Sequence, residues 1–397
     1  MIKQVKIKDF KSIEEVDLVF DPLTVLVGRS GTGKSNIMQA LRFLRNLLLD
    51  QEQGIAYEWG WDRILPVGKL KPRPSIEVVF SVPGEDRDYC YAISYGKIQN
   101  GIHKLMGERL VLGEEVLFDR HWDATWRWNK MPSVTNQPSN WGQSDIPMLG
   151  QFPSVQKIVT AYAALSTGIG YYHFPASSLD RVRQQHTYVQ QKRLLDAIPG
   201  LTDDASNYLE IIRAMTQDFH RPDLRKNLLA TLRTMNSTVA SVELDSLTKP
   251  QRAIVAHNAS GNVFELSLEQ ESDGFRRFYA HLLALYQTPP KLALVFEEPE
   301  NAIFPGALSL LADEFKAAPS EKRGQVILTT HSPILLDSFD VNNVRAVDMQ
   351  KGKTIVGRIS KDQRDAVKER LLKTGDLLTV ESPRLDEVEE SILTRPS

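Results

Sequence analysis

The chain contains one cysteine, Cys90, among its 397 residues. A single cysteine excludes a disulfide framework within the chain, and it excludes a metal site built from several cysteines of one chain. The sequence also lacks any stretch near the ~18 consecutive apolar residues that a membrane-spanning helix needs. Its first residues alternate charged and apolar side chains and contain no apolar run typical of a signal peptide. From these absences we expect a soluble, cytoplasmic protein with no membrane partner.

An excess of charge of either sign is missing as well. The chain carries 48 basic and 50 acidic side chains, so its formal net charge is -2. Whole-molecule charge therefore does not favour nucleic acid, and any such contact would need a local basic patch. The region from 176 to 235 has nine basic and seven acidic residues, which is not a basic footprint. This pattern neither predicts nor excludes DNA as a partner.

The chain shows no internal repeat and no sustained heptad pattern. Its length corresponds to two or three domains of about 100–200 residues, or to one large α/β domain with insertions. We predict three parts: an N-terminal lobe with an antiparallel β region over residues 1–155, a mainly helical insertion over 156–250, and a C-terminal lobe over 251–397.

A glycine-rich segment follows a continuous apolar run at residues 23–27. It matches the pattern G-x-x-x-x-G-K-[ST] at every position with Gly28, Arg29, Ser30, Gly31, Thr32, Gly33, Lys34 and Ser35. Glycines at this spacing let backbone N–H groups converge on the β- and γ-phosphates of a nucleotide, and a helix beginning near Lys34 directs its positive end toward them. Lys34 supplies a point charge, and the Ser35 hydroxyl can ligate Mg²⁺. A buried strand before the loop and a helix after it are the context that this interpretation requires.

A second continuous apolar run, residues 292–296, ends in Glu297-Glu298-Pro299-Glu300. A carboxylate at the end of a strand beside a phosphate loop can hold Mg²⁺ through water, so we predict Glu297 as the metal ligand. The next carboxylate, that of Glu298, can polarise an attacking water as a general base. Two adjacent buried acids repel unless a cation is near, and Mg²⁺ with a nucleotide is the natural partner.

Two further segments flank the acid-ended strand. Ser272-Asp273-Gly274 opens a segment with apolar residues at helical spacing, and either Ser272 or Asp273 can cap that helix. A third buried run, residues 326–328, leads to His331. A histidine at the carboxyl end of a parallel strand lies at the ligand-binding edge of the sheet and can donate to a phosphate oxygen. Apolar strands alternating with helices predict a parallel sheet.

In this order the motifs resemble those of ABC-type ATPases of the RecF, SMC and OLD group. The resemblance is strong over residues 1–50 and 265–340 and only general between them. The matching elements are Phe10-Lys11-Ser12 for the N-terminal element, Gly28 to Ser35 with Asn36 for Walker A, Ser272-Asp273-Gly274 for the signature motif, Leu292 to Glu298 for Walker B, and His331 for the switch histidine.

The resemblance implies an α/β fold of the P-loop NTPase class and ABC-ATPase type, with a mixed sheet, an antiparallel β subdomain and a helical insertion. It implies ATP and Mg²⁺ as cofactors, and a dimer or higher oligomer in which two heads enclose two ATP molecules. In that dimer, Ser272 and Gly274 of one protomer would complete the site of the other. The implied catalytic residues are Glu298, His331 and Lys34, and Asn36 joins the phosphate loop in binding the nucleotide.

Two functions stay open at this point. The first is an ATP-driven regulatory or sensing switch that acts on a separate effector protein in DNA-related or phage-defence processes. The second is an ATP-gated clamp on DNA, or a RecF-like repair protein, with little turnover. The lack of a long coiled coil argues against a true SMC protein. The segment after His331 is too short for the nuclease domain of OLD proteins, so we expect none.

Overall fold

The computed structural model describes residues 1–49, 60–97, 103–121, 126–127, 149, 155–174, 200–218, 220–245 and 251–386. The strands are β1 Ile2–Phe10, β2 Ile13–Val19, β3 Leu23–Val27, β4 Ser75–Phe80, β5 Tyr89–Lys97, β6 His103–Leu112, β7 Glu115–His121, β8 Trp126–Arg127, β9 Ile169–Tyr172, β10 Val239–Asp245, β11 Arg252–Ala259, β12 Asn262–Ser267, β13 Ala293–Glu297, β14 Gln325–Thr329, β15 Val344–Gln350 and β16 Lys353–Arg358. The helices are α1 Lys34–Leu49, α2 Trp61–Ile64, α3 Gln156–Leu165, α4 Tyr208–Gln217, α5 Pro222–Met235, α6 Asp273–Tyr286, α7 Pro305–Ser320, α8 Pro333–Leu336, α9 Lys361–Lys368 and α10 Asp376–Thr379.

The chain divides into two compact units. The first unit comprises Met1–Ile169, Val341–Leu372 and Val380–Ser397, and the second comprises Gly170–Asp340 and Lys373–Thr379. The chain therefore leaves the first unit, builds most of the second, and returns to the first. In the described part of the chain, no helix combines the length and the apolarity that crossing a bilayer requires.

The first unit contains an antiparallel sheet with the strand order β2-β1-β4-β5-β6-β7-β8. Buried residues alternate with more exposed ones along β2 and β4, as happens when a sheet covers a core with one face only. Strands at 75–80, 89–97 and 115–121 confirm the antiparallel pattern predicted for this part of the sequence.

A second group of strands in the first unit leads to the phosphate loop. β3 is buried along its whole length and pairs in parallel with β15, with Val25 opposite Val344 and Val27 opposite Ala346. β15 and β16 form an antiparallel hairpin, in which Val347 faces Val356. α1 begins at Lys34, directly after the loop, and buries Ile37, Leu41, Leu44 and Leu48, which recur at helical spacing.

The second unit has a three-stranded sheet, β10-β11-β12, and a parallel pair formed by β13 and β14. The parallel pairing confirms the prediction, and its register places Glu297 opposite Thr329. Aromatic side chains fill the core beside β13: the rings of Phe296 and Phe315 lie 4.9 Å apart, and those of His281 and Phe296 lie 5.6 Å apart. The carboxyl ends of the two strands therefore share one edge of a well-packed layer.

Candidate nucleotide-binding site

The phosphate loop joins the end of β3 to the start of α1 in the first unit. Gly31 and Gly33 have φ values of 80° and 102°, in the region that residues with a Cβ atom avoid. Gly28 packs against the backbone carbonyl of Val347, and a Cβ atom at this position would collide with it. The glycines of the motif are therefore required by the shape of the loop itself, independently of any ligand.

Lys34 is almost completely buried, with 5% of its surface exposed. Its Nζ donates to the carbonyl oxygens of Gly28, at 2.8 Å, and of Arg29, at 2.9 Å. These carbonyls hold the ammonium group inside the curl of the loop, at the amino-terminal end of α1. Ser35 lies in the first turn of the helix with its side chain exposed, so its hydroxyl is accessible for a metal ion.

The other predicted nucleotide contacts in the loop are anchored by neighbours in the first unit. Arg29 donates to the Ser382 hydroxyl from Nη2 at 3.1 Å and from Nε at 3.3 Å. Asn36 donates from Nδ2 to Ser12 Oγ at 2.7 Å. Thr32 donates from Oγ1 to the carbonyl of Arg29 at 2.9 Å, whereas Ser30 is exposed. Hydrogen bonds thus hold the loop both to itself and to other segments of the first unit.

Glu298 and His331 come together at the carboxyl ends of β13 and β14 in the second unit. Nε2 of His331 lies 3.4 Å from Oε1 of Glu298, and both side chains are 39% exposed. Oε2 of Glu298 accepts from Asn301 Nδ2 at 3.0 Å, and its backbone N–H donates to the Thr329 carbonyl at 3.2 Å. Glu298 has a φ of 45°, an unusual conformation for a residue with a side chain. Two residues predicted separately are thus close enough to act on one bound group.

Glu297 differs from Glu298 in its surroundings. Its Oε2 accepts a hydrogen bond from the hydroxyl of Tyr171 on β9, a tyrosine that is 3% exposed. Its Oε1 is buried, and among the described residues it has no hydrogen-bond partner. A buried carboxylate oxygen without a donor is costly unless a cation or water reaches it. The donor set therefore fits Mg²⁺, which prefers oxygen ligands and commonly takes one or two carboxylates together with substrate phosphates.

Glu300 organises the segment that carries His331. A single oxygen, Oε1, accepts from Thr330 Oγ1 at 2.8 Å, from the His331 N–H at 2.7 Å and from the Ser332 N–H at 3.1 Å. Its Oε2 is buried, again without a hydrogen-bond partner among the described residues. We call this arrangement the Glu300 clamp. It ties the loop after β13 to the loop after β14 and determines where the histidine backbone lies.

The signature segment forms the amino-terminal end of α6 in the second unit. Ser272 is the N-cap, and its Oγ accepts from the Phe275 N–H at 3.3 Å. A Cβ atom at Gly274 would lie 3.1 Å from the carbonyl oxygen of Ala302, so the helix approaches the loop after β13 closely. Arg277 donates from Nη1 to the Asn301 carbonyl at 3.0 Å and joins the same two segments. Ser272 itself is exposed.

A histidine within α6 has a structural role. His281 is buried beside the Phe174 and Phe296 rings, and its Nδ1 lies 2.7 Å from the Arg277 carbonyl. Burial lowers the pKa of His281 to about 4, so the ring is neutral at pH 7. The helix that presents the signature segment is therefore anchored by a neutral, well-packed aromatic cluster.

Each unit thus carries one part of the predicted site. The first holds the phosphate loop, and the second brings together Glu297, Glu298 and His331 and presents the signature segment. Sequence reasoning missed Tyr171, for which no local pattern gave a signal. It also missed the role of Glu300, although the repeated acids after β13 and the threonines before His331 were visible signals.

Two protein families match different parts of the chain. Residues 1–84 match the family described as AAA ATPase domain, and residues 189–337 match the family described as AAA domain, putative AbiEii toxin, Type IV TA system. The first match includes the phosphate loop, and the second includes the signature segment, the acid-ended strand and His331. Both therefore cover residues that the motifs had singled out.

Two curated proteins share short segments with the chain. An OLD nuclease of Thermus scotoductus is 42% identical over 41 residues, which are 10% of this chain and 8% of that protein. A DNA replication and repair protein RecF of Pseudarthrobacter chlorophenolicus is 45% identical over 72 residues, which are 17% of this chain and 18% of that protein. The matches therefore span less than a fifth of the length of either relative.

Solved structures extend the similarity to the fold. An SMC head bound to the C-terminal winged-helix domain of ScpA has a TM-score of 0.56 at 16% identity, covering 91% of this chain and 99% of that one. An SMC head with an extended coiled coil, bound to a ScpA domain derived from Pyrococcus furiosus, has a TM-score of 0.53 at 14% identity, covering 93% and 99%. Together with the family matches and the phosphate loop, this fold makes the chain similar to the ABC-type ATPases of the RecF, SMC and OLD group.

Proposed function

We propose that the chain binds ATP with Mg²⁺ and hydrolyses it. The observation that carries this proposal is the phosphate loop, in which the motif glycines, the buried Lys34 and the start of α1 occur in the arrangement that phosphate binding needs. Glu298 and His331, which lie together in the second unit, supply groups suited to proton transfer and to contact with a phosphate.

The chain's own residues divide the work as follows in this proposal. Lys34 and the loop N–H groups bind the phosphates, and Ser35 with Glu297 holds Mg²⁺. The ion, when bound, neutralises negative charge on the phosphate oxygens. Glu298 accepts the proton of the attacking water through a carboxylate oxygen, and His331 donates to the γ-phosphate. The Glu300 clamp keeps the His331 backbone in place while this happens.

A dimer completes the proposed site. Ser272 is exposed at the positive end of α6, and Gly274 leaves the helix end without a bulky side chain. Such a helix end can approach a γ-phosphate closely. We therefore place Ser272 and Gly274 of one protomer on the ATP that the phosphate loop of the second protomer binds.

ATP-dependent dimerisation would make the protein a regulatory or sensing switch. A separate effector protein fits this role, because the two similar SMC heads were solved with ScpA domains and one matched family is described as part of a toxin–antitoxin system. The OLD nuclease match is consistent with phage defence or another DNA-related process as the setting.

Mixed dimers test the arrangement in trans. Ser272→Asp keeps a good N-cap, but it places a negative charge against the γ-phosphate of the ATP that the second protomer binds. Alone, this variant should bind ATP and lose dimerisation and turnover. Mixed with Lys34→Ala, it should regain partial ATPase activity, since one composite site then carries both changes and the other carries neither.

Ser272→Asn is the matched control variant, because asparagine has the shape and the N-capping ability of aspartate but carries no charge. It should lose less activity than Ser272→Asp. Mixed dimers that are confirmed by mass but show no recovered turnover would contradict the proposed sandwich.

A DNA clamp with little turnover is the second candidate, and the RecF match over 72 residues favours it. The two functions differ in steady-state ATP hydrolysis. A switch should turn over ATP without DNA, whereas a clamp should show ATP-dependent retention on DNA and near-zero turnover. Measuring both quantities with and without duplex DNA separates them.

A further inference from the structure

The phosphate loop rests on the β15–β16 hairpin, which lies outside both family matches. Those matches end at residues 84 and 337, whereas the hairpin begins at Val344. Gly28 packs on the Val347 carbonyl of β15, as described above. Gly33 approaches Thr354 of β16 so closely that a Cβ atom would lie 2.8 Å from Thr354 Cγ2 and 3.0 Å from Ser12 Oγ. Gly28 and Gly33, at the two ends of the loop, therefore both pack against the β15–β16 hairpin, and Gly33 also lies close to Ser12.

A chain of hydrogen bonds follows these contacts, and its direction can be deduced. Thr354 Oγ1 lies 2.9 Å from the Thr32 carbonyl, which can only accept, so the Thr354 proton is used there. Ser12 Oγ lies 2.7 Å from Thr354 Oγ1 and must therefore donate to it. With its proton committed, Ser12 accepts from Asn36 Nδ2 at 2.7 Å. The order is Asn36 to Ser12 to Thr354 to the Thr32 carbonyl.

The Thr354 end of this series of hydrogen bonds is buried, and Thr354 is held at two points. Thr354 is 1% exposed and Thr32 is 4% exposed, so water is not available to replace the hydroxyl. The Thr354 backbone N–H also donates to the Ser12 carbonyl at 3.1 Å. The turn between β1 and β2 and the start of β16 are therefore joined through both backbone and side chain beneath the loop.

The bond from Thr354 to the Thr32 carbonyl fixes the orientation of the peptide group between Thr32 and Gly33. A trans peptide is planar, so the Thr32 carbonyl and the Gly33 N–H point in opposite directions. Holding the carbonyl against Thr354 turns the Gly33 N–H away from β16. A phosphate loop works by aiming such N–H groups at one anion. The Thr354 hydroxyl thus fixes the orientation of the Gly33 N–H through its bond to the Thr32 carbonyl.

We propose that Thr354 and Ser12 are positioning residues of the nucleotide site, and that the β15–β16 hairpin completes the phosphate loop. The inference rests on the proposed nucleotide binding. It extends that function to the β15–β16 hairpin, in which no motif was identified from the sequence.

The test compares Thr354→Val with Thr354→Ser in the full-length protein. Valine keeps the shape and removes the hydroxyl, whereas serine keeps the hydroxyl. ADP affinity, measured by calorimetry, should fall about tenfold in Thr354→Val and change by less than about twofold in Thr354→Ser. Thr231→Val, which removes a buried hydroxyl from α5 in the second unit, is the matched control and should bind ADP like the wild type.

A second measurement needs no nucleotide. Hydrogen exchange of the peptide covering residues 29–37 should be faster in Thr354→Val than in the wild type and unchanged in Thr354→Ser. Ser12→Ala should add little to Thr354→Val, because both act through one chain. The proposal is overturned by folded Thr354→Val with wild-type exchange in this peptide, or by full additivity of the two changes. If the wild type binds no ADP but Thr354→Val still raises hydrogen exchange in residues 29–37, the proposed nucleotide binding is wrong. The role of Thr354 in holding the loop would then stand.

Discussion

The phosphate loop and the acid-ended loops of the second unit differ in how their buried polar groups are hydrogen-bonded. In the phosphate loop, Lys34 and Thr32 are satisfied by carbonyls and hydroxyls of the first unit. In the second unit, one buried oxygen of Glu297 and one of Glu300 have no hydrogen-bond partner among the described residues. In the first region, these polar groups are bonded to other groups of the protein. In the second region, two acceptor oxygens are left that a cation, a water or another donor can bind.

This difference suggests that the two regions control different quantities, namely nucleotide affinity and the rate of hydrolysis. A phosphate loop whose geometry is already fixed loses little conformational freedom when an anion binds. Carboxylate oxygens that lack partners gain most when a cation arrives, because that arrival removes a desolvation cost. We expect changes in the first region to act mainly on nucleotide affinity, and changes in the second to act mainly on turnover and metal dependence.

The largest expected effect lies in the second region. Glu298→Gln keeps the side-chain shape and removes the base, so single-turnover hydrolysis should fall about 10²- to 10⁴-fold with ATP affinity nearly unchanged. Glu265→Gln, at an exposed position on β12, is the matched control. Near-normal turnover would move the base elsewhere, with Glu297 as the first alternative.

Lys34→Ala should produce the reverse pattern in the first region. It removes the charge that would contact the phosphates and takes a donor from the Gly28 carbonyl, whereas the Arg29 carbonyl keeps its bond from Thr32, so ATP affinity should fall at least about 100-fold. Titration with a fluorescent ATP analogue measures this, and Lys8→Ala on the surface of β1 serves as the control. Unchanged affinity in a folded variant would show that the loop does not bind phosphate.

Glu300→Ala tests whether the clamp positions His331. The variant releases three donors at once, and turnover should fall about 10- to 100-fold through displacement of the histidine. Glu300→Gln retains an acceptor and should recover most of the loss. In a double-mutant cycle, His331→Ala should remove most of the effect of Glu300→Ala. Independent, additive losses would instead indicate a separate role for Glu300.

Tyr171→Phe should have the smallest effect of the four. It removes one hydroxyl from Glu297, and the Mg²⁺ concentration for half-maximal activity should rise about tenfold. Binding of Mn²⁺ in the presence of ADP, followed by electron paramagnetic resonance, gives a readout that does not require turnover. Tyr286→Phe, which removes a hydroxyl from Glu314 at 2.9 Å, should leave this metal dependence unaltered.

Sequence reasoning succeeded where the signal is local. The phosphate loop, the buried β3 and the start of α1 occupy neighbouring positions, and glycine spacing with apolar periodicity identifies them together. The parallel pair β13 and β14 was predicted for the same reason, since each strand is a continuous apolar run.

The supporting contacts could not be predicted in the same way. Tyr171 and Glu297 are 126 positions apart, and Ser12 and Thr354 are 342 apart. Periodicity shows which face of a strand is buried, but it does not show which polar atom of a distant segment meets that face. Lys34 shows that a local contact can also be missed: the motif indicated a charge for phosphate, but it did not show that the Gly28 and Arg29 carbonyls hold the ammonium group.

The left-handed backbone of Glu298 has a consequence for laboratory evolution. A side chain at a φ of 45° costs about 1–2 kcal/mol relative to glycine, so Glu298→Gly should melt at a higher temperature while losing the carboxylate. A library selected only for heat resistance should therefore accumulate glycine or asparagine at this position. Retention of glutamate under such selection would contradict the expected strain. Retention of glutamate only when ATPase activity is also selected would show that function depends on the carboxylate.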